Sequence, residues 1–109
     1  MGIINFIMLE DLARDIAETF HPKKIILFGS NAWGIPQEDS DIDIFIIMDS
    51  KEERPSKRAI EILTKCHPGN ISVDLMVRTP EEIKKRLEVG DTFIQKIIKD
   101  GKVIYDESL

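Results

Sequence analysis

The sequence predicts an α+β fold in two layers, a mixed β-sheet with helices packed on it, formed as one domain over residues 1–109. Three observations predict it. Apolar positions switch repeatedly between a helical and a strand-like period along the chain. A 109-residue chain with 42% hydrophobic residues suits one core, and no repeat or long linker divides it. The runs follow the order helix, strand, short helical turn, strand, helix, strand, helix, helix, strand.

Leu9, Leu12, Ala13, Ile16, Ala17 and Phe20 recur at i, i+3, i+4 spacing, which predicts an amphipathic helix over residues ~6–20. His21-Pro22 stops it, because proline disfavours helical geometry in the residue before it. Lys24–Phe28 is a short apolar run entering Gly29, as in a buried strand feeding a tight turn. Ser30–Gly34 suits one helical turn, and residues 35–40 form a polar loop. Asp41–Met48 is rich in β-branched residues on both faces, so it reads as a central strand covered on both sides.

Asp49–Arg58 is dense in charge and reads as a solvated loop. Ala59, Ile62, Leu63 and Cys66 mark a second amphipathic helix, ended by His67-Pro68-Gly69. Ile71–Val77 is a third strand. Thr79-Pro80-Glu81-Glu82 is a helix start: a capping Thr, proline in the first turn and Glu82 in the capping-box position. Gly90 ends that helix. Phe93, Ile94, Ile97 and Ile98 mark the next, stopped by Gly101, and Lys102–Tyr105 supplies an edge strand.

Composition excludes several function classes. A single cysteine, Cys66, rules out an internal disulfide and a Cys-based zinc site. His21 and His67 are the only histidines and lie far apart, so no His-rich cage forms. No apolar run reaches the ~20 residues that cross a bilayer, and the apolar start lacks the basic flank of a signal peptide, so a cytoplasmic location is expected. The net charge of −5 argues against nucleic acid as a partner.

Chemistry concentrates in Gly29-Ser30, Asp41-Ile42-Asp43 and Asp74. Asp41 and Asp43 are two apart on a strand, so their side chains leave the same face with Cα atoms ~6.7 Å apart. That span suits two divalent ions ~3.5–4 Å apart. Asp74 lies in the next strand and joins them if the two strands are neighbours. Gathered carboxylates repel, and a hard cation such as Mg²⁺ offsets that repulsion. Gly29 lets a phosphate approach the backbone, and Ser30 offers it a hydroxyl and N–H groups.

The runs Gly29-Ser30-Asn31-Ala32-Trp33-Gly34 and Ser40-Asp41-Ile42-Asp43-Ile44 resemble the GSxARG…SDIDL signature of minimal nucleotidyltransferases. That family belongs to the polymerase-β-like nucleotidyltransferase superfamily, with its palm-like core. The resemblance implies transfer of a nucleoside monophosphate, such as AMP from ATP, to a hydroxyl, releasing pyrophosphate. Gly29 and Ser30 would hold the triphosphate, and Asp41, Asp43 and Asp74 would act at two Mg²⁺ ions, with Mn²⁺ as a substitute. Trp33 stands where the signature has arginine, and Lys57, Arg58 and Arg78 are the cations considered in compensation.

Related enzymes carry a helical second domain, and little chain follows the last predicted strand here. The resemblance therefore implies a helical HEPN-type partner protein, or a homo-oligomer. Some small family members are antitoxins that attach AMP to a tyrosine of such a toxin. The alternative is a non-catalytic module that neutralises a helical partner by contact.

Overall fold

The computed structural model describes residues 1–34 and 41–109, so the polar loop expected at 35–40 lies outside the described residues. The elements follow the expected order: α1 (Ile3–Phe20), β1 (Lys24–Phe28), α2 (Ser30–Trp33), β2 (Ile42–Ile47), α3 (Pro55–Lys65), β3 (Val73–Arg78), α4 (Pro80–Glu88), α5 (Thr92–Asp100) and β4 (Lys102–Asp106). The result is an α+β fold on a mixed four-stranded sheet of order β3-β2-β1-β4. β1 runs antiparallel to both β2 and β4, whereas β2 and β3 are parallel and joined through α3.

Strand alternation divides the sheet into two faces. Ile25, Leu27, Ile42, Ile44, Ile46 and Val77 form the main core with Leu9, Leu12 and Ile16 of α1 and Ile62 of α3. On the other face Ile26, Phe28 and Phe45 pack with Ile83 of α4 and Ile94 and Ile97 of α5. Phe45 is wholly buried, so β2 is covered on both sides as its composition implies. Asp43 and Asp74 lie on the α4–α5 face, one alternation beyond Phe45 and Met76.

The caps follow the sequence closely. Thr79 Oγ1 accepts from the Glu82 N–H at 3.2 Å while Glu82 accepts from the Thr79 N–H at 2.9 Å, completing the capping box. Asp91 caps α5 in the same sense, accepting from the Ile94 N–H. His21 closes α1 in the left-handed region at φ 52°, and its N–H donates to the Ala17 carbonyl.

Three expectations need correction. α1 starts at Ile3, several residues before the periodic stretch, leaving Ile3, Ile4 and Ile7 exposed. The charged run 49–58 is not all loop: α3 begins at Pro55, since proline suits a first helical turn.

Arg58 is also no surface charge. It is only 4% exposed, and its guanidinium forks onto Glu82 at 2.7 and 3.2 Å while donating to the Glu52 and Val77 carbonyls. Charge density misled here because a long side chain can bury its stem and head where acceptors surround it.

Candidate active site

The parallel register of β2 and β3 sets Asp43 directly opposite Asp74. Both side chains leave the same face, as opposed residues of neighbouring strands must. Asp43 is half-buried and Asp74 exposed, so the pair stands at the edge of the core. Burial holds the Asp43 carboxyl above its ordinary value of 3.8, and the negative charges of Asp74 and then Asp41 push it the same way.

Asp41 stands just before β2, exposed, with one carboxylate oxygen accepting from Ser72 Oγ at 2.6 Å. The Asn31 side-chain amide donates to the Asp41 carbonyl at 3.4 Å, tying α2 to the start of β2. The structure thus brings Asp43 and Asp74 together, whereas Asp41, expected at the start of the strand, lies one residue before β2 and is bonded to Ser72. Among the described residues no three acidic, His or Cys side chains stand close enough to hold one ion as they are.

The donor set nonetheless suits a hard divalent cation. It is all carboxylate oxygen, partly desolvated, and Asp43 is destabilised as an anion by its neighbours. Asp43 and Asp74 would hold such an ion between strands, and Asp41 would join them on exchanging its Ser72 hydrogen bond.

Gly29 precedes α2 at φ 77°, and Phe28 before it pairs with Asp43. A Cβ at residue 29 would collide with the Asp43 carboxylate, so glycine is needed here for space as well as backbone angle. The Gly29 carbonyl accepts from the Ala32 and Trp33 N–H groups, folding the turn that begins at Ser30, directly after the glycine packed on Asp43. Gly29→Ala is expected to lower stability by about 1–3 kcal/mol through backbone strain alone, because φ 77° with ψ −156° is a region that essentially only glycine adopts. It should also displace the Asp43 carboxylate, so any activity that depends on that group should fall further than the midpoint of a denaturant titration suggests.

A cleft of about 540 Å³ opens beside the pair, lined by Asp43, Asp74, Phe28, Met76, Phe93, Ser56 and Arg78 among others. Met76 and Arg78 follow Asp74 at alternate positions on β3, and strand alternation alone places them on its face. Phe93 and Ser56 come from α5 and α3 and escaped the sequence reading, because no local period reveals which helix borders which strand. A larger hollow of about 890 Å³ lies between α1 and β4, whereas Asp43 is on the sheet face opposite α1.

The arginine position of the motif is filled by packing. Trp33 lies 6.3 Å from Phe28, between ring centroids, and Lys96 of α5 places its Nζ 4.9 Å from the Trp33 centroid. Among the cations considered from sequence, Arg58 is committed to Glu82, Lys57 is exposed on α3, and Arg78 lines the cleft.

Comparison with known proteins agrees with this architecture. The chain is 32% identical over 83 residues to a protein named "Putative protein adenylyltransferase" from Methanocaldococcus jannaschii, covering 76% of this chain and 78% of that one. The crystal structure of a putative nucleotidyltransferase from Sulfolobus solfataricus shares the fold, with a TM-score of 0.68 and 24% identity over 97% of this chain and 84% of the other. No helix among the described residues is long and apolar enough to cross a membrane. The family model "Polymerase beta, Nucleotidyltransferase" matches residues 10–108, nearly the whole chain, and the protein belongs to that family of nucleotidyltransferases.

Proposed function

We propose that the chain transfers AMP from ATP to a hydroxyl group on a partner protein and releases pyrophosphate. The observation that carries this reading is the facing pair Asp43 and Asp74, beside the side-chain-free turn at Gly29. The family supports a nucleotide substrate, and the relative named a protein adenylyltransferase supports a protein acceptor.

Polymerase-β-like nucleotidyltransferases generally use divalent metals. Here Asp41, Asp43 and Asp74 are the residues to hold two Mg²⁺ ions, or Mn²⁺ in their place. Bound there, the ions supply charge neutralisation and Lewis-acid polarisation at the α-phosphoryl group.

The chain's own groups do the positioning. Gly29 leaves its backbone open to the triphosphate, and the Ser30 hydroxyl donates to a phosphate oxygen. Asp43 fixes the face on which the α-phosphorus sits. Asp74, exposed at the edge strand, meets the incoming hydroxyl and accepts its proton. The acceptor oxygen then bonds to the α-phosphorus as the bond to the pyrophosphate oxygen breaks. Such a displacement requires alignment and charge compensation rather than a covalent intermediate on the protein.

The partner we infer is a helical protein of HEPN type, its acceptor a tyrosine hydroxyl, the pair forming a toxin and its antitoxin. The decisive assay incubates the chain with that partner, Mg²⁺ and α-labelled ATP. Label on the partner, with a mass gain of one AMP unit, is the expected result. A stable, silencing complex with no label would instead favour neutralisation by contact alone.

A further inference from the structure

We propose that Lys96, parked over the ring of Trp33, is a binding residue for the polyphosphate of the nucleotide. The inference rests on the reading of the site given above and adds a contact from a distant part of the chain. A triphosphate is a polyanion, and the face it would approach already carries Asp41, Asp43 and Asp74. Divalent ions held by the carboxylates would neutralise charge at the α-phosphoryl group, and a protein cation near the Gly29–Ser30 turn would complement the rest of the polyphosphate.

Arg58 is buried against Glu82 and cannot serve. Arg78 lies opposite Ile47 at the far end of β3, two alternations from Asp74, on the side away from Gly29. Lys96 is different. Its Nζ is 4.9 Å from the centroid of Trp33, within the roughly 6 Å reach of a cation–π contact.

Trp33 belongs to the same helical turn as Ser30, and its N–H donates to the Gly29 carbonyl at 3.0 Å. The turn that would cradle phosphate thus also holds the platform for the ammonium group.

A chain of aromatic contacts connects α2 to α5. Trp33 packs on Phe28, Phe28 meets the edge of Phe93 at 5.8 Å, and Phe93 is one helical turn before Lys96 on α5. A cation–π contact at an exposed site is weaker than an ammonium–phosphate hydrogen bond, so the ring orders Lys96 without competing against the ligand. The positive charge that an arginine at position 33 would carry on α2 arrives instead from α5.

Titrating the full chain with a non-hydrolysable ATP analogue and with AMP, both with Mg²⁺, by calorimetry and by tryptophan emission, tests this. Trp33 is the single tryptophan, so emission reports directly on the platform. Lys96→Ala should weaken the ATP analogue about tenfold or more while changing AMP by less than about twofold, and Lys96→Arg should keep most of the affinity. The analogue should shift Trp33 emission in the wild type and much less in Lys96→Ala.

Unchanged analogue affinity in Lys96→Ala, or equal weakening of AMP and analogue, would overturn the assignment and leave the carboxylate site intact. Failure of the wild-type chain to bind either nucleotide would overturn the reading beneath it as well.

Discussion

Replacing Asp43 with Asn is expected to reduce AMP transfer by about 10²–10³-fold or more, because in the proposed mechanism its charge helps to hold the reacting phosphoryl group. The fold should survive. Asp43 faces Asp74 across the parallel pair and is disfavoured as an anion by burial and by that neighbour. An uncharged amide of nearly the same shape relieves the repulsion, so the melting temperature should hold steady or rise slightly. Activity and stability thus move in opposite senses, which separates a functional carboxylate from a structural one. Transfer at the wild-type rate by Asp43→Asn would exclude the residue from the chemistry.

The largest stability effect is expected at Glu82, away from the candidate site. Its carboxylate accepts from the two terminal guanidinium nitrogens of buried Arg58 and also closes the capping box of α4. Glu82→Gln keeps an acceptor for the Thr79 N–H but strands a buried positive charge, a loss of about 3 kcal/mol. For a domain of this size that corresponds to a fall of about 10 °C or more in melting temperature. The double variant Arg58→Met/Glu82→Gln should recover much of the loss, since no buried charge then lacks its partner.

The same pair fixes a pH dependence. The hydrogen bond from Arg58 is the largest influence holding the Glu82 carboxyl below its ordinary value of 4.5; burial opposes it and Thr79 assists. A lowered folded-state value means that the stabilisation is complete above the unfolded value and is lost as pH falls through the folded one. Denaturant midpoints should therefore decline below about pH 4.5 in the wild type, and more shallowly in the double variant.

Much of this molecule can be read from its residues in order. The period of Leu9, Leu12 and Ile16 marks α1, and Thr79-Pro80-Glu81-Glu82 announces α4 with its cap, because those signals are local. Strand pairing is another matter. Nothing within β2 or β3 states that they run parallel with Asp43 opposite Asp74; that follows from the path of the chain through α3.

Arg58 was hidden among solvated charges, since its burial depends on Glu82 and Val77 arriving from other segments and on the backbone of its own run folding back at Glu52. Lys96 was unreadable for the same reason: its meeting with Trp33 joins two elements distant in sequence. What periodicity conveys is which face a residue occupies, and what it omits is which residues share that face.

The proposed chemistry depends most on the three aspartates acting together through divalent ions. Crystals of the chain soaked with Mn²⁺ and a non-hydrolysable ATP analogue, measured for anomalous scattering by manganese, address that directly. The expected result is density for two ions bounded by Asp41, Asp43 and Asp74, with Asp41 released from Ser72 and the phosphates beside Gly29 and Ser30. Manganese bound elsewhere, or nucleotide bound with no ion between these carboxylates, would contradict it.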